Sequence, residues 1–176
     1  MTTESKPKAR KGVRSWWVTA NDANPRHGWH WSRYFRNPKD PAERANWGGP
    51  NWIKSALAFE NIHHMRKGDA VVAYQAGQGF VGLARLFSDG YVTPESGEYD
   101  TFDLHWAHTV WLENPVPFQV VHQLPSAEQE IQALKAVHFG TVLSITPKGF
   151  GQMCNLMRAF NPARERQIDR FLSSGG

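Results

Sequence analysis

Residues 64–77 (HMRKGDAVVAYQAG) and 79–91 (GFVGLARLFSDGY) decide the fold. Ala70–Ala76 and Phe80–Phe87 are short, apolar and rich in β-branched and aromatic residues, so each predicts a strand. Gly77-Gln78-Gly79 joins them with hairpin chemistry. Upstream, Asn51–Met65 predicts a helix. Asn51 suits its N-cap, and Trp52, Ala56, Phe59 and Ile62 fall on one face. Arg66 and Lys67 place cations in its last turn and Gly68 follows as a stop signal. The result is a helix feeding directly into a hairpin. Gly77, Gly79 and Gly82 also spell G-x-G-x-x-G, but the run joins two strands instead of opening a helix, which makes it a poor dinucleotide fingerprint.

Before this block, Val13–Ala20 (VRSWWVTA) predicts a strand, and Asn21–Pro25 is loop chemistry. Residues 26–50 are irregular, yet they hold Trp29, Trp31, Tyr34 and Trp47, residues typical of ordered structure. After it come an acidic loop over Ser88–Thr101, a strand over Phe102–Glu113 and a helix over Ser126–Val137 capped by Ser126. An extended run spans His138–Thr146. A helix over Pro147–Phe160 lines up Phe150, Met153, Leu156, Met157 and Phe160, and a terminal helix covers Ala163–Leu172. This order is not the βα alternation of a doubly wound sheet. It predicts an α+β fold: a curled sheet or small barrel with helices packed outside.

The chain's 176 residues suit one domain, and 40% hydrophobic content is enough for a core. No apolar run reaches the length of a membrane-spanning helix. A single cysteine, Cys154, excludes an intrachain disulfide and a Cys-based zinc site. It sits in an apolar helical stretch and is expected in the core. The N-terminus lacks an apolar h-region, so a cytoplasmic location is expected. The net charge of +4 equals the balance of residues 1–14 alone. The rest is neutral but uneven: 21–67 and 135–176 each carry a balance of +4, and 89–134 carries −8 with no cation. That unevenness predicts a basic face and an acidic face, if the fold keeps the basic segments together.

Tryptophan is concentrated: six of the 8 lie in the first 52 residues. Trp16 and Trp17 must face opposite sides of their strand, so one of them needs a second layer or a ligand. Trp29, Trp31, Trp47 and Trp52 are candidate walls of an aromatic pocket, since such rings stack on flat bases. Asn21, Asp22 and Asn51 are candidate readers of a base edge. Arg26, Arg33, Arg36 and Lys54 are candidate phosphate contacts. The histidines argue weakly for a metal. His105 and His108 lie three apart on a strand, and His63 and His64 are adjacent on a helix, so neither pair converges. His27 and His30 lie in loop. No metal site and no cofactor are expected.

Three stretches, WWVTANDANP (16–25), the 64–91 block preceded by Trp47 and Gly49, and GTVLSITPKGFGQM (140–153), together resemble the EVE domain. That family is a PUA-like one related to YTH domains. The match follows the family's order over most of residues 15–160. Many members carry Trp-Asp-Gly-Val-Arg-Asn before the helix, where this chain has Trp47-Gly48-Gly49-Pro50-Asn51-Trp52. The resemblance implies a PUA-like, EVE-type mixed β-barrel or strongly curved sheet flanked by helices. It spans residues 15–163, between a basic tail (1–14) and a C-terminal helix and tail (164–176). It also implies a non-catalytic module that binds a modified, flipped base in DNA or RNA. The pocket would lie between Asn21 and Asp22, the Trp47 segment and the strand carrying Tyr74. The alternatives are a small PUA-like hydrolase or nuclease, and a protein-interaction module.

Overall fold

The computed structural model describes residues 12–23, 30–32, 46–50, 61–92, 99–131 and 142–174, with backbone alone at 46–50, 91–92 and 99–107. Its strands are β1 (Ser15–Ala20), β2 (Asn46–Pro50), β3 (Ala70–Gln75), β4 (Gly79–Leu86), β5 (Tyr91–Val92), β6 (Tyr99–Val116) and β7 (Val142–Ile145). They form one mixed sheet in the order β2-β6-β4-β3-β1-β7, with β5 paired to β6. β1 and β3 run parallel, with Ser15 opposite Ala70 and Ala20 opposite Gln75. The other pairings are antiparallel. A bulge at Ala73/Tyr74 and two register shifts between β4 and β6 accompany the bending of the sheet.

Strand parity explains the two cores. Trp17 packs on one face with Val72, Phe80, Leu83 and Leu112, beneath the helices. Trp16 packs on the other with Val18, Trp31, Ile62, Met65, Val71 and Ala84. The second layer that Trp16 requires is therefore made by residues 31 and 62–65. All eight residues of β4 are buried, as expected of a strand covered on both faces.

The turn before β3 shows why Met65, Gly68 and Asp69 stand where they do. Gly68 adopts φ +86°, a conformation that side chains rarely take. Met65 is fully buried. The buried Asp69 carboxylate accepts from Trp16 Nε1 at 2.8 Å, from the Arg66 backbone N–H at 3.0 Å and from the Arg14 backbone N–H at 3.1 Å. One side chain thus fastens the start of β1, a core tryptophan and the turn into β3. Buried Arg85 donates to Gly68 O at 3.1 Å and to Phe171 O at 2.7 Å, and lies 4.4 Å from the Phe171 ring centroid. Burial lowers the Arg85 pKa, and the Asp69 charge works against that shift.

The α-helices among the described residues are α1 (Phe118–His122), α2 (Ala127–Glu130), α3 (Pro147–Phe160) and α4 (Glu165–Ser173). α3 has the predicted bounds: Thr146 Oγ1 caps it by accepting from Gly149 N–H at 3.1 Å, and Pro147 sits in the first turn. It buries Met153, Cys154 and Met157. Burial of a side chain the size of Met is worth about 1.5–3 kcal/mol. α4 adds Ile168 and Phe171 to the same core. Buried Asn161, between α3 and α4, accepts from Asn114 N–H at 2.8 Å and donates to Asn114 O at 2.9 Å, tying both helices to β6. No helix among the described residues is long and apolar enough to cross a membrane.

Several sequence expectations need correction. The helix expected over 126–137 is a single turn, α2, after which Ile131 makes a bridge to Ile145. Ser126 does not cap it through its side chain; it adopts φ 59°. α1 was not anticipated. Of the helix expected over 51–65, residues 51–60 lie outside the described residues, and Asn61–His64 form a 3-10 turn. Described acids of 89–134 reach across to cations of the basic segments. Glu113 pairs with Arg164 at 2.9 Å, Glu130 with Lys148 at 3.1 Å, and Asp89 meets Arg66 at 3.9 Å.

Candidate functional site

β1 and β3 end side by side, so the chain leaves both strands at the same end of the sheet, and the Ala76 N–H donates to Ala20 O at 2.9 Å. Asn21 and Asp22 follow β1 and are exposed. Asn21 Oδ1 accepts from Ala23 N–H at 2.9 Å, a local turn that competes with further strand. The chain returns at His30–Ser32. There Trp31 is fully buried, its N–H donates to Gln75 Oε1 at 3.0 Å, and its Nε1 donates to Tyr74 O at 3.1 Å. Gln75 Nε2 reaches Asp22 Oδ1 at 3.5 Å. Buried Gln75 therefore clamps the neck of the segment that leaves at Asp22 and returns at Trp31.

A second polar pair closes over this clamp. His30 Nδ1 accepts from Ser32 N–H at 3.0 Å, and His30 Nε2 meets the Gln78 side-chain amide at 2.9 Å. The Gln78 atom facing it is Nε2, and which nitrogen donates is set by the imidazole tautomer. The exposed surface at this end offers amide, carboxylate and imidazole groups above a buried indole floor. Such groups read the edges of planar polar ligands.

The sequence-chosen residues divide as follows. The structure brings Asn21, Asp22 and Trp31 together. Trp31 belongs to the core beneath the site and is no open wall, because its two N–H groups are committed to β3 and its ring has no exposed surface. Tyr74 has its ring on the opposite face, with centroids 5.0 Å from Trp17, 5.1 Å from Phe80 and 6.0 Å from Phe118. Strand parity requires this: Tyr74 is paired with Thr19, and Gln75, one residue on, is paired with Ala20. Burial pushes the Tyr74 phenol pKa up. Trp47 is paired with Phe102 in β2, on the part of β6 that runs past Leu86, while Leu86 itself pairs with Leu104. That register sets Trp47 at the end of the sheet away from Asn21. Trp29, Asn51, Trp52, Arg26, Arg33, Arg36 and Lys54 lie outside the described residues.

Sequence reasoning missed Gln75, Gln78 and His30. A lone Gln inside the apolar run AVVAYQA was the available signal for Gln75; His30 was weighed only as a metal ligand. Cys154 is in the core as expected. Burial pushes its thiol up to about 12, so it supplies no thiolate near neutrality.

A concave surface of about 520 Å³ lies elsewhere, lined by His122, Leu124, Ser126, Ala127, Glu128 and Gln129. It holds none of the residues chosen from sequence.

No protein-family model matches the chain, and no curated protein does. Solved structures do match. The NMR structure of Rpa0253 from Rhodopseudomonas palustris aligns with a TM-score of 0.58 at 19% identity, covering 85% of this chain and 96% of that one. The crystal structure of Atu2648 from Agrobacterium tumefaciens aligns with a TM-score of 0.63 at 18% identity, covering 82% and 93%. Human THYN1, solved in complex with DNA containing 5-methylcytosine, aligns with a TM-score of 0.58 at 12% identity, covering 82% and 98%. At these identities the likeness is one of fold: this chain shares the α+β fold of these structures.

Proposed function

We propose that this protein is a non-catalytic module that binds nucleic acid carrying a modified, flipped-out base. The observation that carries the reading is the shared fold with human THYN1, whose structure holds 5-methylcytosine DNA. The exposed polar end of β1 and β3 supports it. In this reading Asn21 and Asp22 read the base edge. His30 and Gln78 extend that polar surface. The stacking wall is Trp29, with Trp31 as the packed floor and Tyr74 supporting β3 from the other face. Arg26, Arg33, Arg36 and Lys54 contact phosphates, and the basic residues of the first 14 positions add affinity that is independent of sequence. Extruding the base costs a few kcal/mol, recovered by stacking worth about 1–3 kcal/mol per ring. Cytoplasmic residence fits this reading.

The test compares matched duplexes with and without one modified base, bound to wild type and to Trp29→Ala. Loss of a stacking wall should weaken binding to the modified duplex about 5- to 150-fold, the equivalent of that stacking range. Affinity for the plain duplex should hardly change. Equal losses on both duplexes would remove this ring from the pocket.

A further inference from the structure

We infer that His30 is a positioning residue and a pH-dependent clasp. As a neutral imidazole it holds the returning segment beside the β3–β4 turn, and on gaining a proton it lets that segment go. The inference rests on reading this end of the sheet as the ligand site, and it adds regulation of that site.

The clasp follows from what faces the ring. His30 is partly buried, with the Ser32 N–H donating to Nδ1 at 3.0 Å and Gln78 Nε2 standing 2.9 Å from Nε2. Both neighbours are nitrogen. A neutral imidazole accepts at one of its two nitrogens, and an imidazolium accepts at neither. The Gln78 amide can turn over and offer its oxygen, whereas the Ser32 N–H is fixed by the backbone. The bond at Nδ1 therefore exists only while the ring is neutral. Residues 31 and 32 are helical, so His30 stands where Asn or Asp would cap a first turn. The same chain makes this bond to the second residue on with an asparagine, where Asn21 Oδ1 accepts from Ala23 N–H at 2.9 Å. Asparagine does not titrate; histidine changes charge between about pH 5 and pH 8.

Trp31, between the two bonded residues, gives its N–H to Gln75 Oε1 and its Nε1 to Tyr74 O. Its buried ring is the floor of the site. The bond at Nδ1 is the member of this unit that a proton removes, so the clasp is closed on the alkaline side of the imidazole titration and is lost as pH falls through it. Neighbouring charges move the pH of release and not its direction, because none of them gives an imidazolium a lone pair. The β3–β4 turn over 75–79 carries no titratable side chain, and the chain leaving β1 carries Asp22, whose Oδ1 lies 3.5 Å from Gln75 Nε2. Arg26, His27 and Arg33 are near in sequence and lie outside the described residues.

The experiment follows amide exchange at Ser32 in the free protein between about pH 8 and pH 5, each rate divided by that of an unstructured chain at the same pH. Wild type, His30→Asn and His30→Ala are compared. Protection in wild type should fall about 2- to 13-fold on acidification, the equivalent of one hydrogen bond. His30→Asn keeps an acceptor without a titration, so its protection should stay level. His30→Ala has no acceptor and should show the lowered protection at every pH. A wild-type profile as flat as that of His30→Asn overturns the inference. So does a fall of the same size in both, which would assign the response to other titrating groups. Binding of the modified and plain duplexes by the same proteins tests the link to the site: wild type should lose affinity for the modified duplex relative to His30→Asn as pH falls. Coincident binding profiles, with the preference intact, overturn that link. If wild type shows no preference at any pH but Ser32 protection still falls, the base-reading proposal fails and the clasp stands.

Discussion

Replacing Gln75 by Leu tests the clamp at the neck of the candidate site. Gln75 is fully buried, and its Oε1 is the acceptor for the Trp31 N–H at 3.0 Å. Leucine fills a similar volume but accepts nothing. The Trp31 N–H would be left buried and unpaired, which costs about 1–3 kcal/mol. The contact to Asp22 at 3.5 Å is long and its partner exposed, so its loss adds little. The apolar burial of Leu offsets part of the penalty, which leaves an expected loss of about 1–2 kcal/mol. At roughly 2–4 °C per kcal/mol, the melting midpoint should drop by several degrees. Urea denaturation should show a lower midpoint with an unchanged m-value. Hydrogen exchange should show the Trp31 amide protected in wild type and open in the variant. Gln75→Glu keeps an acceptor for Trp31 but sets a carboxylate beside Asp22, so it should be better tolerated in acid than at neutral pH. A Gln75→Leu protein with wild-type stability and a protected Trp31 amide would refute the clamp.

Asp69→Ala should be the most damaging single change at the other end. It strips three N–H donors of their acceptor and leaves Arg85 buried without its counter-charge, a loss of about 3–5 kcal/mol; denaturation curves measure it, and a loss under 1 kcal/mol would contradict the role given to this carboxylate. Cys154 should resist a thiol reagent at pH 8 in the native protein and react promptly in denaturant. Its pKa is raised in the folded state to about 12, so its contribution to stability is present below the ordinary thiol range and is lost as pH rises through that range toward 12. Stability that climbed between pH 9 and 11 at this site, judged against Cys154→Ala, would reverse the sign.

The sheet centre and α3 could be read from sequence because local signals agreed with burial. AVVAYQA and FVGLARLF are apolar on both faces, as strands covered on both sides must be. At α3, Thr146, Pro147 and the spacing of Met153 and Met157 all mark one helix. The two tryptophans of β1 were placed by parity alone. What failed depended on long-range contacts. Ile131 leaves the helical pattern because β7 offers Ile145 as a partner. The pairing of Glu113 and Glu130 with cations distant in the chain could not be read from charge counts. The family resemblance placed the strand carrying Tyr74 at the site. The register with β1 hands that position to Gln75 instead, a difference of one residue that only strand pairing reveals.

The central claim is that the protein distinguishes a modified base from a plain one. Intrinsic tryptophan fluorescence, titrated with two duplexes identical except for a single 5-methylcytosine, tests it directly at fixed salt. The account predicts tighter binding to the methylated duplex, with a preference that persists as salt rises while both affinities fall. Equal affinity for the two, or for both and for a panel of other modified bases in DNA and RNA, would contradict it.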